Sequence, residues 1–473
     1  MFQTIIGAVS SFMYSKLLVI MLIGAGLYFT IRTRFPQARL FKRACESVME
    51  KPDDKEAISS FQALMVSTAS RVGTGNIVGV SSAICIGGFG SVFWMWVIAI
   101  IGSASALIES TLAQIYKKKG EDGKCYGGPA YYIEAALKSR ALGVVFAIAL
   151  IATYAGGFNM LASFNLIDSM SNYGFYHQFM MGDRSLVPMI GGAILAILVG
   201  ICIIGGGKQI VRITGVLVPF MGVFYILMAI AVMILNIGRL PEVFVNILSN
   251  AFDFKAIFGG FAGSAMMQGI KRGLYSNEAG VGSAPNAAAA ANVSHPVKQG
   301  LVQMLSVFID TILICTATAM MCLCTGIVPS EELKGAPFVQ ESLGTVFGVI
   351  GPYFITFALL LFAFTTLLGN LFYCEGCLNY IARRTLKNKE MNVFRLFAVV
   401  VVFIGAQLQF GLVWDLADVL MGIMAIINLP VIVILGNTAL KCLDDYLVQK
   451  KEGKNPCFKA ESIGLEGKTE FWN

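Results

Sequence analysis

Long apolar runs separated by short polar loops make up most of the pattern of hydrophobic and polar positions along this chain. A helix needs about 20 mostly apolar residues to cross the hydrocarbon core of a bilayer. The pattern therefore predicts an all-α polytopic membrane protein, folded as a single transmembrane domain over residues 1–473. We predict eleven membrane-spanning helices, at residues 11–31, 64–88, 91–116, 140–170, 187–205, 209–236, 251–269, 297–326, 346–381, 393–410 and 414–437.

The composition narrows the class of protein further. Hydrophobic residues make up 56% of the chain and charged residues 13%, whereas charged residues are about a quarter of a typical soluble protein. The 11 cysteines are an odd number and lie mostly in apolar runs, which argues against a disulfide framework. Because the two histidines, His177 and His295, are far apart in sequence, a histidine-based catalytic or zinc site is not expected. We therefore do not expect an enzyme.

The formal net charge of +7 does not indicate a nucleic-acid partner, because Lys and Arg fall in short loops between apolar segments. Under the eleven-span alternation the loops richest in Lys and Arg all lie on one side of the bilayer, and an excess of Lys and Arg marks the cytoplasmic side. The outer loops hold fewer cations, such as Arg184, Arg239, Lys255 and Lys334. We therefore place the N-terminus outside and the tail, residues 438–473, in the cytoplasm. The loop cations behind this assignment include Lys117, Lys208, Lys271, Arg272 and Arg383.

The second predicted span, 64–88, contains a polar interruption that an ordinary membrane helix lacks. Between Ser70 and Val80 stand an arginine, a threonine, an asparagine and three glycines. Unpaired backbone groups are costly in lipid, so a helix broken at mid-membrane has to line a cavity or hold a ligand. A close helix crossing through small residues is the alternative. Glycine alone would satisfy that alternative, whereas Thr74 and Asn76 favour a binding site.

A break in this helix exposes backbone groups of two opposite kinds. The freed N–H groups of Thr74, Gly75 and Asn76 begin the outer half-helix, and the positive end of a helix dipole suits a carboxylate. The carbonyls of Ala69 and Val72 end the inner half-helix, and such carbonyls suit a hard cation. The same stretch therefore predicts an anion site and a cation site side by side.

The breaks also indicate the architecture. Setting aside the extra N-terminal helix at 11–31 leaves ten core helices, of which the first and the sixth contain Gly-rich breaks. Two sets of five spans must insert with opposite topology, which is the inverted-repeat design with discontinuous helices at corresponding positions. We predict a first repeat at 64–236 and a second at 251–437. The symmetry rests on the matching breaks, because no residue-by-residue repeat is evident.

The predicted break of core helix 6 falls at residues 259–264, where three glycines loosen the helix. Phe261 and Gly263 are therefore expected beside the substrate, and the Phe261 ring could cover it. The polar run that follows, 268–285, is expected at the cytoplasmic end of this helix and in the next loop. We interpret that run as an inner gate or a structural loop more than as a direct substrate contact.

Other polar side chains lie inside apolar spans. Thr365 and Thr366 in core helix 8 can complete a sodium shell, or they can bond back to carbonyls of their own helix. Asp310 lies deep in core helix 7, where an ionisable group is costly and indicates function. It could bind a cation or a substrate ammonium group, relay a proton, or pair with a neighbouring amide. Glu109 and Glu375 lie nearer the cytoplasmic ends and are interpreted as structural or gating groups.

Several longer motifs resemble those of the alanine/glycine:cation symporters, also called sodium:alanine symporters. The resemblance covers nearly the whole chain and is carried by residues 71–80, 87–97, 126–129, 272–280, 282–285 and 362–369. It implies a leucine-transporter-like fold and sodium-coupled uptake of a small neutral amino acid across the cytoplasmic membrane of a prokaryote. It also implies a substrate carboxylate and a coupling ion at named positions: Thr74, Gly75 and Asn76 on the substrate, and Ala69, Val72, Thr365 and Thr366 on sodium.

Two positions depart from the pattern of that family. Ala162 stands in core helix 3 where the family commonly has a glutamine, and Asn370 stands in core helix 8 where it commonly has a tryptophan. Both changes remove bulk, and Asn370 adds an amide. If both positions face the substrate, the pocket is larger and more polar than one made for alanine. We therefore predict a substrate bigger than alanine, such as glutamine.

Two other functions remain open at this point. A transporter of the same fold could couple to protons through Asp310. An ion channel is a different class, but channels need an open pore with rings of like ligands, usually from several subunits. Two broken helices in one chain fit a closed central site and alternating access better than a pore. Oligomeric state is not indicated by the sequence.

Overall fold

The computed structural model describes residues 2–50, 52, 57–204, 206–252 and 264–472, and nearly all of its regular structure is helical. The helices of the first half are α1 Gln3–Arg32, α2 Pro36–Arg39, α3 Phe41–Val48, α4 Ser60–Arg71, α5 Gly75–Gly87, α6 Gly90–Ile115, α7 Pro129–Leu137, α8 Arg140–Asp168, α9 Gly174–Gln178, α10 Val187–Ile203 and α11 Gly206–Leu235. Those of the second half are α12 Leu240–Ala251, α13 Ala265–Asn277, α14 Pro285–Ala290, α15 Pro296–Leu323, α16 Ala336–Phe347, α17 Ile350–Ala382, α18 Asn388–Gly405 and α19 Phe410–Lys451. Short 3-10 turns add Ile237–Arg239, Glu331–Leu333 and Ala460–Ile463.

Strands are confined, within the described ranges, to two short antiparallel hairpins in loops. Strand β1, Lys118–Lys119, pairs with β2, Cys125–Tyr126. Strand β3, Met180–Met181, pairs with β4, Arg184–Ser185. Neither hairpin has a hydrophobic face large enough to fold alone, so both are parts of loops between helices.

Seven of the described helices are long and apolar enough to cross a membrane, namely α1, α6, α8, α11, α15, α17 and α19. Two shorter apolar helices, α5 and α10, add to them. These nine helices all overlap predicted spans, and the prediction of an all-α polytopic membrane protein is confirmed. Large apolar side chains on α10 and α11, such as Ile197, Ile201, Val216 and Phe220, are exposed on the outside of the bundle, where lipid tails are an equally apolar neighbour.

The bundle has two opposite ends, a tail end and a far end. The tail end holds residues 117–128, 291–295 and the C-terminal segment 452–472, which touch one another. The far end holds the β3–β4 hairpin and the loop between α18 and α19, where the side chain of Gln3 lies against Gly411. Helices α6, α15 and α17 are the most deeply buried of the long helices, and they run between these ends through the centre.

Regular helical geometry changes within the first predicted core span. A capping box starts α4, in which the Ser59 side chain accepts from the N–H of Gln62 and the Gln62 side chain accepts from the N–H of Ser59. This satisfies two of the open donors at a helix start. The helix ends at Arg71, and Val72 has non-helical ψ of 83°. Helical geometry resumes with a π-helical turn at Gly75–Gly79.

A second interruption lies at 278–284, after the stretch where a break was predicted. The predicted break at 259–264, with Phe261 and Gly263, lies outside the described residues except for Ser264, which caps α13 by accepting from the N–H of Met267 at 3.3 Å. Helix α13 ends at Asn277, and α14 begins only at Pro285. Three residues between them have positive φ, namely Glu278 at 53°, Gly280 at 83° and Gly282 at 91°. The chain therefore leaves helical geometry at 278–284.

The expectation of a helix end and a loop over 268–285 is wrong for residues 268–277, which continue α13. The predicted end of this span at residue 269 is therefore wrong, whereas 278–284 is non-helical. Helix α13 packs against α5 and α6, with Gly269 in contact with the backbone of Ser91. Lys271 and Arg272 are only 8% and 7% exposed, so they are not loop cations. The polar run misled the prediction because its charges are neutralised inside the bundle, by Asp418 of α19.

Candidate functional site

The two interruptions meet at the centre of the bundle. The side chain of Asn76, at the start of α5, donates from Nδ2 to Ser276 Oγ at 3.1 Å, just before the second interruption. Gly75 lies directly against the ring of Tyr275. From the tail-side half of α6, Glu109 accepts from the N–H of Gly280, inside the second interruption, at 3.2 Å. Backbone that is not helical is therefore concentrated in one place, surrounded by protein.

Carbonyl and hydroxyl oxygens are left without donors on one side of the first interruption. The N–H of Gly73 donates to Asn76 Oδ1 at 2.9 Å, so the carbonyl of Ala69 loses its usual helical donor. Thr366 of α17 lies directly against Gly73. Its Oγ1 is buried without a hydrogen-bond partner among the described residues. Since a buried polar atom is normally satisfied, these oxygens fit a hard cation such as sodium.

Thr365, the other hydroxyl predicted at this site, faces elsewhere. Its Oγ1 donates to the Leu361 carbonyl at 2.9 Å, within α17, and lies 3.4 Å from Met221 Sδ of α11. Of the two threonines, Thr366 is therefore the one that the structure brings to the interruption. The back-bonding considered as an alternative for both hydroxyls applies to Thr365.

The side chain and the backbone N–H of Asn76 both form hydrogen bonds within the protein. Its Nδ2 donates to Asp310 Oδ1 of α15 at 2.7 Å. The other oxygen of Asp310 accepts from Ser276 and, at 2.8 Å, from Thr311. The N–H of Asn76 donates to the Gly73 carbonyl at 3.1 Å. One of the three predicted amides is therefore already used.

Helix α8 presents one face to the first interruption. Asn159, Ala162 and Asn165 are spaced three residues apart, which places them on the same side of the helix. Asn165 Nδ2 donates to Thr74 Oγ1 at 2.9 Å, and Asn159 Oδ1 accepts from Asn370 of α17 at 2.9 Å. Ala162 is buried between these two contacts. The small side chain predicted to enlarge a pocket is thus on the face that looks toward the interruption.

Asn370 bridges three helices. Its Oδ1 accepts from Ser70 Oγ at 2.6 Å, and its Nδ2 donates to Asn159. The amide therefore joins the end of α4 to α8 through α17. To contact a substrate, Asn370 would have to exchange one of these partners for a substrate group, which a polar side chain could supply.

An aromatic cluster covers the interruption toward the far end. Tyr275 packs on Phe158 with ring centroids 4.8 Å apart and on Trp414 at 5.1 Å. Tyr154 continues the cluster, 4.9 Å from Phe158. Tyr275 lies against Gly75, in a covering position like the one predicted for Phe261, which lies outside the described residues. The motif at 272–280 contains Tyr275, but the charged residues of the motif are typical of a loop, so the sequence does not indicate this role for the ring.

A buried ion cluster lies beyond the aromatic rings. Lys271 Nζ is 2.7 Å from Asp418 Oδ2, and Arg272 Nη1 is 3.1 Å from Asp418 Oδ1. The Arg272 guanidinium stacks 4.2 Å from the Trp414 ring centroid. Ser10 of the extra helix α1 accepts from Lys271 at 3.0 Å. The cluster joins α13, α19 and α1 and seals the far side of the site.

Arg71 places a positive charge among buried carboxylates. It is 2% exposed, and Nη1 approaches Gln303 Oε1 at 3.4 Å. Its Nε and Nη2 have no hydrogen-bond partner in the described part of the chain. Glu109 and Asp310 are both fully buried and are held by neutral donors, Asn428 and Asn76 among them. The sequence shows Arg71 as a charge inside a predicted span, but it does not indicate a role for this side chain.

A cavity of about 470 Å³ opens at the tail end. Gln62 of α4, Lys208 of α11 and Glu375 of α17 line it, together with Phe471 of the C-terminal segment. Glu375 Oε1 lies 3.0 Å from Lys124 Nζ. A second cavity, of about 530 Å³, opens at the far end and is lined by Asn172, Tyr173 and Gln340.

Comparison with known proteins identifies the family. A model of the sodium:alanine symporter family matches residues 1–460. The chain belongs to the sodium:alanine symporter family. It is 43% identical over 472 residues to amino-acid carrier protein AlsT of Bacillus subtilis, covering 100% of this chain and 98% of AlsT. The probable sodium/glutamine symporter GlnT of the same organism is 41% identical over 472 residues, covering 99% of this chain and 96% of GlnT.

A third relative and a solved structure are similar to this chain over most of its length. The sodium/alanine symporter AgcS of Methanococcus maripaludis is 37% identical over 470 residues, covering 96% of this chain and 99% of AgcS. The crystal structure of MhsT in complex with L-phenylalanine superposes with a TM-score of 0.60 at 15% identity, covering 88% of this chain and 96% of that chain. That likeness confirms the leucine-transporter-like fold. The family resemblance and the expectation of a transporter rather than an enzyme are confirmed by the family match.

Proposed function

We propose that this member of the sodium:alanine symporter family imports a neutral amino acid with sodium by alternating access. The observation that carries the proposal is the meeting of two interrupted helices through the contacts of Asn76 with Ser276 and of Gly75 with Tyr275, with the unpartnered Thr366 hydroxyl against Gly73. Such interruptions are how secondary transporters hold substrate and ion at mid-membrane. The names of the relatives AlsT, GlnT and AgcS support the same function.

Sodium supplies the coupling in this proposal. The carbonyls of Ala69 and Val72 and the hydroxyl of Thr366 would hold the ion, with Thr365 next to them on α17. These residues come from α4 and α17, so an ion between them holds the inner half-helix against the rest of the bundle. A ligand shifts a conformational equilibrium only by its differential affinity for the two states. Release of the ion therefore frees α4 to move.

The substrate would lie next to the ion. Its carboxylate faces the amides of Thr74 and Gly75 at the start of α5, where the helix dipole favours an anion. Its side chain points toward Ala162 and Asn370. A carboxamide can replace Ser70 or Asn159 as a partner of Asn370. We infer a substrate larger than alanine, with glutamine as the first candidate, and the name of GlnT is consistent with it.

The architecture proposed for this function is the inverted repeat of ten core helices behind one extra N-terminal helix. The observed interruptions are at 72–74 and 278–284, one in each predicted repeat, 64–236 and 251–437. In the proposed orientation the tail end faces the cytoplasm and the N-terminus lies outside, in the inner membrane of a prokaryote. The described state would then be closed to the outside.

Uptake into proteoliposomes tests the proposal. Radiolabelled glutamine is offered under an inward sodium gradient, with unlabelled alanine, glycine, glutamine and asparagine as competitors. We expect sodium-dependent uptake that glutamine inhibits most strongly. Strongest inhibition by alanine or glycine, with glutamine and asparagine inert, would overturn the substrate assignment. Absence of any sodium-dependent amino-acid uptake would overturn the function.

Proton coupling is the second candidate, and Asp310 is the observation that favours it. This carboxylate is fully buried and accepts from Asn76 at the first interruption. A change in its protonation would therefore alter the hydrogen bonding of Asn76. The same proteoliposomes with a proton gradient in sodium-free buffer separate the two couplings. Uptake without sodium, lost in Asp310→Asn, would favour the proton.

A further inference from the structure

The C-terminal segment 452–472 folds back across the tail end of the bundle and is held there by several hydrogen bonds and by the Lys118–Glu470 ion pair. Near its start, the N–H of Phe458 donates to the Ser294 carbonyl at 2.9 Å, and Ser294 Oγ donates to the Pro456 carbonyl at 2.8 Å. Near residue 472, Trp472 Nε1 donates to the Gln114 carbonyl at 2.7 Å. That carbonyl is in the last turn of α6, where helical acceptors are open.

The tip of this segment, Phe471 and Trp472, covers a buried lysine. Lys117 Nζ lies 4.0 Å from the Phe471 ring centroid and 5.0 Å from that of Trp472. A cation over an aromatic face is attracted by the ring quadrupole. The Lys117 side chain is fully buried, and this burial lowers its pKa to about 8. Its amine also donates to the Ala291 carbonyl at 3.1 Å.

Ala291 is the point where the inner halves of both interrupted helices are joined. It forms a parallel bridge with Ile58, just before α4, and the N–H of Asn292 donates to the Ile58 carbonyl at 2.9 Å. It follows directly after α14. Gln114 Nε2 also donates to the Ala291 carbonyl, at 2.9 Å. The tip therefore lies over the junction of α4, α14 and α6, and Phe471 lines the cavity beside it.

We propose that the segment 452–472 is a brake on the tail-side gate: its tip clamps the junction at Ala291 and has to lift before α4 and α14 separate. The proposal rests on the proposed function for what passes through the gate. The family model ends at residue 460, so Phe471 and Trp472 lie beyond the matched residues. Two aromatic rings seated over a buried amine and one backbone carbonyl make a contact that can release as a unit.

A native cysteine reports on this movement. Cys377 of α17 is 1% exposed, and its Sγ lies 3.8 Å from Asn286 Oδ1 of α14. The five most exposed cysteines, Cys45, Cys85, Cys125, Cys202 and Cys457, are changed to serine in the parent. Maleimide modification of purified protein then follows separation of α14 from α17. Because Cys377 does not touch the tip, its labelling does not follow simply from deleting a covering ring.

The decisive variant is Trp472→Ala, with Glu461→Ala as the matched control on the same segment. Glu461 is exposed and has only a loose pair with Lys459, at 3.8 Å. We expect Cys377 to react about tenfold faster in Trp472→Ala, corresponding to about 1.4 kcal/mol, and at the parental rate in the control. Equal rates in Trp472→Ala and the parent would overturn the brake.

Transport gives a second readout. With the brake weakened, the maximal rate of sodium-driven uptake should rise at least twofold, and half-saturation should stay the same. A maximal rate that falls, in protein that elutes as a single folded species, would contradict the proposal. If Trp472→Ala does not elute as one species, Trp472→Phe retains an aromatic ring but lacks the indole N–H that donates to the Gln114 carbonyl. A smaller rise in Cys377 labelling is then expected. No uptake by the parent would reject the proposed function but leave the labelling result standing.

Discussion

Thr365 and Thr366 are neighbours on α17, yet their hydroxyls meet opposite environments. The Thr365 hydroxyl is satisfied by the Leu361 carbonyl, whereas the Thr366 hydroxyl is buried against Gly73 without a partner in the described ranges. The sequence could place both side chains near the interruption, because the family motif contains both. It could not say which one points there, because adjacent residues on a helix differ in direction by a rotation that only packing fixes.

The two threonines therefore make a matched pair of variants. Loss of one partner of a buried polar interaction costs about 1–3 kcal/mol, and tenfold in affinity corresponds to about 1.4 kcal/mol. We expect Thr366→Val to raise the sodium concentration for half-maximal uptake about tenfold or more. Thr365→Val should change it less than about threefold, and Thr366→Ser should restore most of it. An unchanged sodium dependence in Thr366→Val would remove this residue from the ion site.

Gly75 gives a second prediction at the residue scale. A methyl group there would overlap the ring of Tyr275, and overpacking in a close-packed interior costs about 1–3 kcal/mol. We expect Gly75→Ala to lower sodium-driven uptake at least tenfold, and the double variant with Tyr275→Ala to recover part of it. Gly24→Ala on α1 is the control, because nothing lies within 4 Å of the added atom. Full activity of Gly75→Ala would mean that Tyr275 moves away at no cost.

At the scale of elements, the first interruption was predictable and the second was not. Residues 70–80 combine glycines with polar side chains inside an apolar run, and this contrast is visible in the sequence. The second interruption, 278–284, follows Lys271 and Arg272, whose charges give α13 the composition of a loop. Tertiary contacts make those charges acceptable in a buried helix, above all the contact with Asp418, 146 residues away from Arg272. The local pattern of hydrophobic and polar residues gives no information about such a distant partner.

The backbone of the second interruption should tolerate little change. Gly282 has φ of 91°, and an added methyl group would lie 2.7 Å from Pro129 Cγ and 2.9 Å from Phe146 Cζ. Left-handed backbone costs an ordinary residue about 1–2 kcal/mol, and the contacts add to it. We expect Gly282→Ala to lower the melting temperature by several degrees and to abolish uptake. Gly222→Ala, with open space around the new atom, should match the parent in both measurements.

At the scale of the whole molecule, α1 is part of the closure as well as an extra span. Its Ser10 accepts from Lys271, and its Tyr14 donates to the Asp418 carbonyl at 3.3 Å. The far side of the site is therefore sealed by three helices, α1, α13 and α19, from distant parts of the chain. Composition and span counting predicted α1 as an element, but they gave it no partner, because an apolar helix can pack on many surfaces.

Asp418 holds this seal, because Lys271 and Arg272 share its carboxylate. Removing one partner of a buried ion cluster leaves an uncompensated charge, at a cost of about 3–5 kcal/mol, and opening of the far side lets water reach the two cations. We expect Asp418→Asn to speed hydrogen–deuterium exchange of α13 amides at least tenfold and to weaken uptake. Asp183→Asn, exposed in the turn of the β3–β4 hairpin, should leave exchange within about twofold of the parent. Unchanged α13 exchange in a folded Asp418→Asn protein would mean that the aromatic cluster of Tyr275, Phe158 and Trp414 seals the far side without the ions.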